Sequence, residues 1–143
     1  MLLMWKARRH SKPARGFATV EVLVAVVIIV LIGTVSIFAL NRTDRAQLTD
    51  DAAAIALILQ QARLQAAESG RPVEIQYSQP DRSIATPREV HIFGRNVTSP
   101  TESTRIIMRP SGENEGLELM LVAGDHRRIV SVDWLTGQIR LIP

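Results

Sequence analysis

Cysteine is absent from this chain of 143 residues, and aromatic residues make up only 4% of it. Without cysteine, neither a disulfide framework nor a thiolate metal site can form. Because Phe, Trp and Tyr are scarce, any water-soluble core has to be built mainly from Leu, Ile and Val side chains. The length is sufficient for one modest domain.

Acidic residues are absent from positions 1–16, although this segment carries Lys6, Arg8, Arg9, Lys12 and Arg15. The whole chain has 17 basic and 14 acidic side chains and a net charge of +3. Removal of the basic segment leaves 12 basic side chains against 14 acidic ones. The basic pI of the complete sequence is therefore weak support for a nucleic-acid partner, and we do not expect one.

Polar residues are missing from positions 22–32, the centre of an apolar segment at positions 17–40. Glu21 is the only charged residue in this segment. A helix of about 20 apolar residues crosses the hydrocarbon core of a bilayer. Because the basic cluster precedes the segment, the positive-inside rule predicts a cytoplasmic N-terminus. The sequence therefore predicts a single-pass membrane protein whose C-terminal part lies across the membrane from the cytoplasm. In a two-membrane bacterium, the segment would span the inner membrane and the C-terminal part would be periplasmic.

The segment at positions 41–69 is typical of an amphipathic helix that continues the apolar one. Residues spaced alternately by four and three form one apolar stripe, which consists of Leu48, Ala52, Ile55, Leu59, Ala62 and Ala66. Gly70 and Pro72 then supply a stop signal. Asn, Thr and Asp at positions 41–44 leave open a break between the two helical segments.

The segment at positions 70–143 alternates short apolar runs with turn residues. The pattern predicts antiparallel strands at 73–77, 90–93, 106–108, 117–121, 128–134 and 138–142. Positions 135–137 are predicted to form a hairpin turn, and positions 78–87 and 98–104 are predicted loops. The expected fold is α+β, with one long N-terminal helix whose second half packs against an antiparallel β-sheet domain.

Gly16, Phe17 and Glu21 stand where the basic segment meets the apolar one. A short basic leader, a small residue, a hydrophobic residue and a glutamate before an uninterrupted apolar run resemble the type III signal of type IV pilins and type II secretion pseudopilins. The resemblance implies that a prepilin peptidase removes residues 1–16 by cutting after Gly16, and that the new amine of Phe17 is methylated.

A carboxylate inside an apolar span is costly and normally has a partner. Cleavage after Gly16 would create an ammonium group at Phe17. In a bundle of such helices, the ammonium of one subunit can pair with Glu21 of its neighbour. We therefore expect Glu21 to form an assembly salt bridge that sets the register between subunits.

The C-terminal part carries a second resemblance, through Pro110, Gly112, Thr136 and Gly137. A strand that leads to a Pro-x-Gly turn, a further strand and a last hairpin with a Thr-Gly turn are similar to the minor pseudopilin called type II secretion system protein H (GspH) and to FimT/FimU minor pilins. The resemblance implies a minor pseudopilin of the type II secretion pseudopilus. Its partners would be other pseudopilins, the prepilin peptidase and the inner-membrane assembly platform of the secretion system.

Two other functions remain open. The chain can be a minor type IV pilin of the FimT/FimU kind, with a role in pilus assembly or DNA uptake. It can also be a single-span membrane protein whose periplasmic domain binds a ligand.

The titratable residues provide no clear catalytic or metal site. His10, His91 and His126 are far apart in the sequence and lack metal-ligand spacing, so each is expected to be exposed or half-buried. Asp50 and Asp51 are typical of a charged helix face rather than of an acid–base pair. We therefore expect no catalytic residue, metal or cofactor, and interpret the chain as non-enzymatic.

Three further features are expected to be structural or solvent-exposed rather than parts of a binding site. The loop at 113–116 offers oxygen atoms to calcium, but it lacks the spacing of a defined calcium loop. Arg127 and Arg128 with Arg140 can form a basic patch, although no aromatic residue interleaves them. Trp134 is expected to be a packing residue beside the last turn.

Overall fold

The computed structural model describes the backbone of residues 15–143 and the side chains of this range except those of residues 15–18, 38, 40 and 41. The leader segment up to position 14 lies outside it. The elements in chain order are α1 (Arg15–Ser69), β1 (Val73–Ser78), β2 (Ser83–Ala85), β3 (Val90–Ile92), β4 (Thr104–Met108), β5 (Leu117–Ala123), β6 (His126–Val132) and β7 (Ile139–Ile142). The described residues up to Phe38 form one compact unit, and the residues from Ala39 onward form a second one.

The strands form two antiparallel sheets. The first sheet has the order β3-β2-β1-β4, and the second has the order β5-β6-β7. A single antiparallel bridge between Thr98 and Val122 connects the segment before β4 to the second sheet. The predicted hairpin at the end of the chain is confirmed, because β6 and β7 pair in antiparallel register from Val132–Ile139 to Ile129–Ile142.

The predicted apolar stripe of α1 forms one side of the hydrophobic core. All six residues of the stripe are buried, and Ile55, Leu59 and Ala66 have no exposed surface. They pack in one cluster with the inward-facing residues of both sheets, among them Ile75 of β1 and Leu119 of β5. Burial of this stripe orients the second half of α1, because a helix with one apolar face is stabilised mainly by what that face covers.

The strand bounds differ from the predicted ones by up to two residues; β6, for example, covers His126–Val132 and was predicted at 128–134. Two further details differ from the sequence-based expectations. The helix continues through positions 41–44, so the break that those residues allow does not occur. The segment at 78–87 is not a loop throughout, because Ser83–Ala85 forms β2 between β1 and β3. Ile84 is the single buried residue of β2, and one apolar residue is too short a signal for the alternation that predicts strands.

Candidate functional site

The first part of α1 exposes a long apolar surface. Large apolar side chains from Val20 to Ile37 are between 49% and 68% exposed. Within the described residues, this helix is long and apolar enough to cross a membrane. A helix that is apolar on every side needs lipid or other helices around it, because water does not stabilise so large an apolar surface.

The hydroxyl groups in this surface are satisfied within the helix itself. Thr34 Oγ1 donates to the carbonyl oxygens of Val30 and Leu31 at 3.1 and 2.8 Å. Ser36 Oγ donates to the Ile32 carbonyl oxygen at 2.8 Å. Polar groups that bond within their own helix carry little desolvation cost into an apolar environment, so this part of α1 is compatible with such surroundings.

Glu21 lies in α1 with its side chain exposed, next to the start of the apolar surface. Its carboxylate is therefore accessible to another molecule, as an intersubunit salt bridge requires. Gly16 and Phe17 lie in the first turn of α1, and the side chain of Phe17 is outside the described side chains. Cleavage, methylation and the pairing of Glu21 with Phe17 therefore stay predictions.

In the C-terminal unit, the two turns that carry the second resemblance pack directly against each other. A Cβ atom added to Gly112 would lie 2.6 Å from the carbonyl oxygen of Thr136, and one added to Gly137 would lie 2.7 Å from the carbonyl oxygen of Gly112. Both residues also have positive φ, 90° and 66°. Glycine is required at both positions because no side chain fits between the two backbones.

Asn114 links the same two turns and was not singled out by the sequence. Its side chain is buried, and Nδ2 donates to the carbonyl oxygens of Gly112 and Asp133, both at 2.9 Å. Oδ1 accepts a hydrogen bond of 2.7 Å from the Gly116 N–H. Its own N–H donates to the Trp134 carbonyl oxygen at 2.8 Å. Asn114 therefore fixes the β4–β5 loop to the β6–β7 turn.

Two carboxylates stabilise these turns from the surface. Asp133 Oδ1 accepts hydrogen bonds from the Thr136 N–H, the Thr136 hydroxyl and the Leu135 N–H, and the bonds from Thr136 hold the pKa of Asp133 below its ordinary value. Glu115 accepts a short hydrogen bond of 2.6 Å from the Ile107 N–H. That bond is the main cause of the lowered pKa of Glu115.

The calcium interpretation of the loop at 113–116 gains no support from this geometry. The oxygen atoms of Asn114 and Glu115 that a cation would use accept hydrogen bonds from the Gly116 and Ile107 N–H groups. Within the described residues, no three His, Cys, Asp or Glu side chains are grouped as metal ligands. The hydrogen bonds of Asn114 and Glu115 give the loop a structural role in connecting β4 to β5.

Asp51 has a different environment from the one that the sequence predicts. Asp50 is exposed, but Asp51 is buried. Asp51 Oδ1 lies 2.9 Å from His91 Nε2, and Oδ2 accepts a hydrogen bond of 2.8 Å from the Gly94 N–H. These bonds attach β3 and the residues after it to α1. The burial of Asp51 could have been predicted from its spacing. Asp51 follows Leu48 by three residues and precedes Ile55 by four, which places it on the buried face of the helix.

The remaining candidates lie on the surface. Arg127 and Arg140 are exposed, and Arg128 is half-buried on the same hairpin. The expectation that Trp134 packs is wrong, because its side chain is 60% exposed and Leu135 beside it is 57% exposed. The turn fixed by Asn114 therefore presents apolar side chains to solvent.

Comparison with known proteins identifies the fold. The chain is similar to crystal structures of the type IV minor pilin FimU of Pseudomonas aeruginosa. One crystal form gives a TM-score of 0.57 at 20% identity, over 71% of this chain and 92% of FimU. A second crystal form gives 0.55 at 18% identity, over 67% and 93%. The fold is therefore pilin-like and α+β.

The sequence comparisons add no family. No protein-family model matches the chain. No curated protein sequence matches it at a significant level.

Proposed function

We propose that this chain is a minor subunit of a pilin-like filament in the bacterial inner membrane, and that the filament is the pseudopilus of type II protein secretion. The observation that carries the proposal is the exposed apolar surface of α1, with Glu21 at its start. The pilin-like fold of the C-terminal unit supports the same function. The subunit has no catalytic role: α1 provides packing, and the C-terminal unit contacts partners.

The mechanism follows from charge in an apolar environment. A prepilin peptidase hydrolyses the bond after Gly16, which removes residues 1–16 and leaves a free amine on Phe17. The same enzyme then transfers a methyl group from a methyl-donor cosubstrate to this amine, which stays protonated as an ammonium group. When a subunit enters the filament, that ammonium pairs with Glu21 of a neighbouring subunit. Each charged group is costly in an apolar bundle without a partner. The pair therefore permits one axial register, and the apolar side chains stabilise whichever register the pair selects.

The similarity to FimU favours a second function, as a minor type IV pilin with a role in pilus assembly or DNA uptake. The same helix and the same cleavage serve both filaments. Disruption of the gene separates them, because loss of an exported enzyme from the culture medium indicates the pseudopilus, whereas loss of surface pili indicates the type IV pilus.

Processing is the direct test of the proposed function. Mass spectrometry of protein extracted from membranes is expected to find a chain that begins at methylated Phe17. Replacement of Gly16 by valine should leave the leader attached, because a peptidase pocket that accepts glycine excludes a branched side chain. A chain that keeps Met1 in cells with an active prepilin peptidase would favour a single-span membrane protein with a ligand-binding domain.

The Glu21→Gln variant tests the salt bridge. It keeps the shape of the side chain and removes its charge, so cleavage after Gly16 should persist. Crosslinking to other filament subunits should fall by about tenfold or more, because one partner of an ion pair in an apolar environment is left uncompensated. Glu118→Gln makes the same change at an exposed position of β5 and should crosslink normally. Normal crosslinking of Glu21→Gln would refute the salt bridge.

A further inference from the structure

The outer edge of β7 is an unpaired strand edge. Among the described residues, β7 pairs with β6 alone. The Asp133 N–H donates to the Gln138 carbonyl oxygen at 2.9 Å. This bond identifies which residue pairs between β6 and β7 are hydrogen-bonded and which are not. Every second residue of β7 bonds to β6. The backbone N–H and C=O groups of Ile139 and Leu141 therefore point away from β6.

A groove lies between this edge and α1. Leu64 and Ala67 of α1 line it on one side, and Ile139 lines it on the other. Leu64 is 59% exposed, and Leu57, seven residues earlier on the same side of α1, is 54% exposed. Leu141 lies on the same face of β7 as Ile139 and is 50% exposed. A further strand beside β7 would cover Leu64 and Leu141 as well as the open edge.

The groove carries one positive charge among its described lining residues. Arg63 lines it together with Gln60 and Gln138, and none of its described lining residues is acidic. The residues three and four positions from Arg63 along α1 are uncharged. Within the part of the chain that the structure describes, Arg63 has no ion pair within 4.0 Å. An acidic side chain on a segment in the groove would supply that partner.

A second copy of this chain fits the edge poorly. Antiparallel pairing of two β7 strands through Ile139 and Leu141 places Arg140 of one copy directly opposite Arg140 of the other. Like charges directly opposite each other destabilise a strand pair. A segment from a different protein, with apolar side chains on one face and acidic residues, has the complementary chemistry.

We propose that the groove between α1 and β7 binds an extended, acidic and apolar peptide segment of a partner protein, which adds to the second sheet as a fourth strand beside β7. Strand addition of this kind obtains affinity from main-chain hydrogen bonds and specificity from alternate side chains. The site goes beyond the proposed function and does not rest on it, because neither cleavage after Gly16 nor filament assembly is needed for binding.

The test uses the full chain in detergent micelles and a fluorescent nine-residue peptide of the order Glu-Thr-Val-Thr-Val-Thr-Val-Thr-Glu, in which the glutamates and the valines lie on one face. Fluorescence anisotropy measures binding, and hydrogen–deuterium exchange locates it. The peptide is expected to bind and to slow exchange in segment 138–143, with no change at β3. A peptide N-methylated at every backbone nitrogen should not bind, since it cannot donate to β7.

Charge variants supply the matched control. Arg63→Glu should weaken binding of the glutamate peptide by about tenfold and favour a peptide with lysine at both ends, because the favourable charge pair becomes a repulsive one. Arg127→Glu makes the same change on an exposed residue of β6 that does not line the groove. The affinity of this variant for the glutamate peptide should stay within about twofold of the wild-type value.

Failure of the glutamate peptide to bind would overturn the proposal, and so would three further results. The first is peptide binding without slower exchange in segment 138–143, and the second is equal binding of the N-methylated peptide. The third is a dimer of the protein alone that protects β7, since a second copy would then occupy the edge. All three can be observed whether or not the chain is processed after Gly16, so failure here is distinct from failure of the proposed function.

Discussion

Replacement of Asn114 by alanine is expected to loosen the C-terminal unit by separating two of its turns. The substitution removes the two hydrogen bonds that Nδ2 donates to the Gly112 and Asp133 carbonyl oxygens and the one that Oδ1 accepts from the Gly116 N–H. It also removes the weak contact of 3.9 Å between Nδ2 and Met108 Sδ. Because Asn114 is only 5% exposed, water replaces these bonds poorly. The variant should still fold, since the core of α1 and the two sheets is unchanged.

The magnitude follows from the three lost hydrogen bonds. A hydrogen bond within a protein contributes about 1 kcal/mol net, so Asn114→Ala should lower the free energy of unfolding by about 3 kcal/mol. That is a large part of the roughly 5–15 kcal/mol that stabilises a typical domain. The unit Ala39–Pro143 has about 100 residues. In a domain of that size, each kcal/mol of lost stability lowers the melting temperature by about 4–8 °C, so Asn114→Ala should lower it by about 12–24 °C.

The assay is urea unfolding of the full chain in detergent micelles, followed by circular dichroism. Ser111→Ala is the matched control, because Ser111 is exposed in the same loop and makes one long hydrogen bond of 3.4 Å. It should change the free energy of unfolding by less than about 0.5 kcal/mol. If Asn114→Ala loses no more stability than Ser111→Ala, the inference that Asn114 fixes the two turns is refuted.

A second variant at this position gives a pH signature. Asn114→Asp keeps an oxygen acceptor for the Gly116 N–H but places a carboxylate beside the Gly112 and Asp133 carbonyl oxygens. These oxygens disfavour the charged form, so the pKa of the introduced carboxyl is raised on folding. A raised folded-state pKa means that stability is lost as the pH rises. The deficit of this variant relative to the wild type should therefore be larger at pH 7 than at pH 4.

Acid and truncation give two further expected outcomes. Asp133 and Glu115 have pKa values below the ordinary 3.8 and 4.5 in the folded state, so the stability that they contribute is present at neutral pH. It should be lost as the pH falls below about 4, and Asp133→Asn should flatten the dependence of the urea midpoint on pH. Residues 42–143 alone should be soluble and monomeric and melt cooperatively, because their apolar stripe is buried against their own strands; a non-cooperative melt would contradict this packing.

Much of the C-terminal fold could be predicted from local patterns. The stripe of α1 repeats at intervals of three and four residues, and every predicted member is buried. The alternation in β1 and β5 likewise matches their burial, with inward residues such as Ile75 and Leu119 at every second position. Such patterns are readable because a helix or strand that faces a core imposes its own period on the sequence.

The functional prediction rests on a different kind of local signal. The apolar run, the basic leader and Glu21 lie within the first 40 residues, and their meaning depends on order and composition rather than on contacts. The structure adds that the apolar surface is exposed and that the hydroxyl groups of Thr34 and Ser36 are satisfied within the helix. The cleavage site itself stays a prediction from sequence.

Contacts between distant residues were decided only by the tertiary structure. Asp51 and His91 are separated by 40 positions, and the carbonyl oxygen of Asp133 lies 19 positions after Asn114. No local period encodes such a pair, because a polar side chain finds its partner only after helix and sheets have packed. The groove beside β7 has the same origin. The sequence determined that Leu64 is apolar, but the position of β7 at the end of its sheet determined that the groove which Leu64 lines stays open.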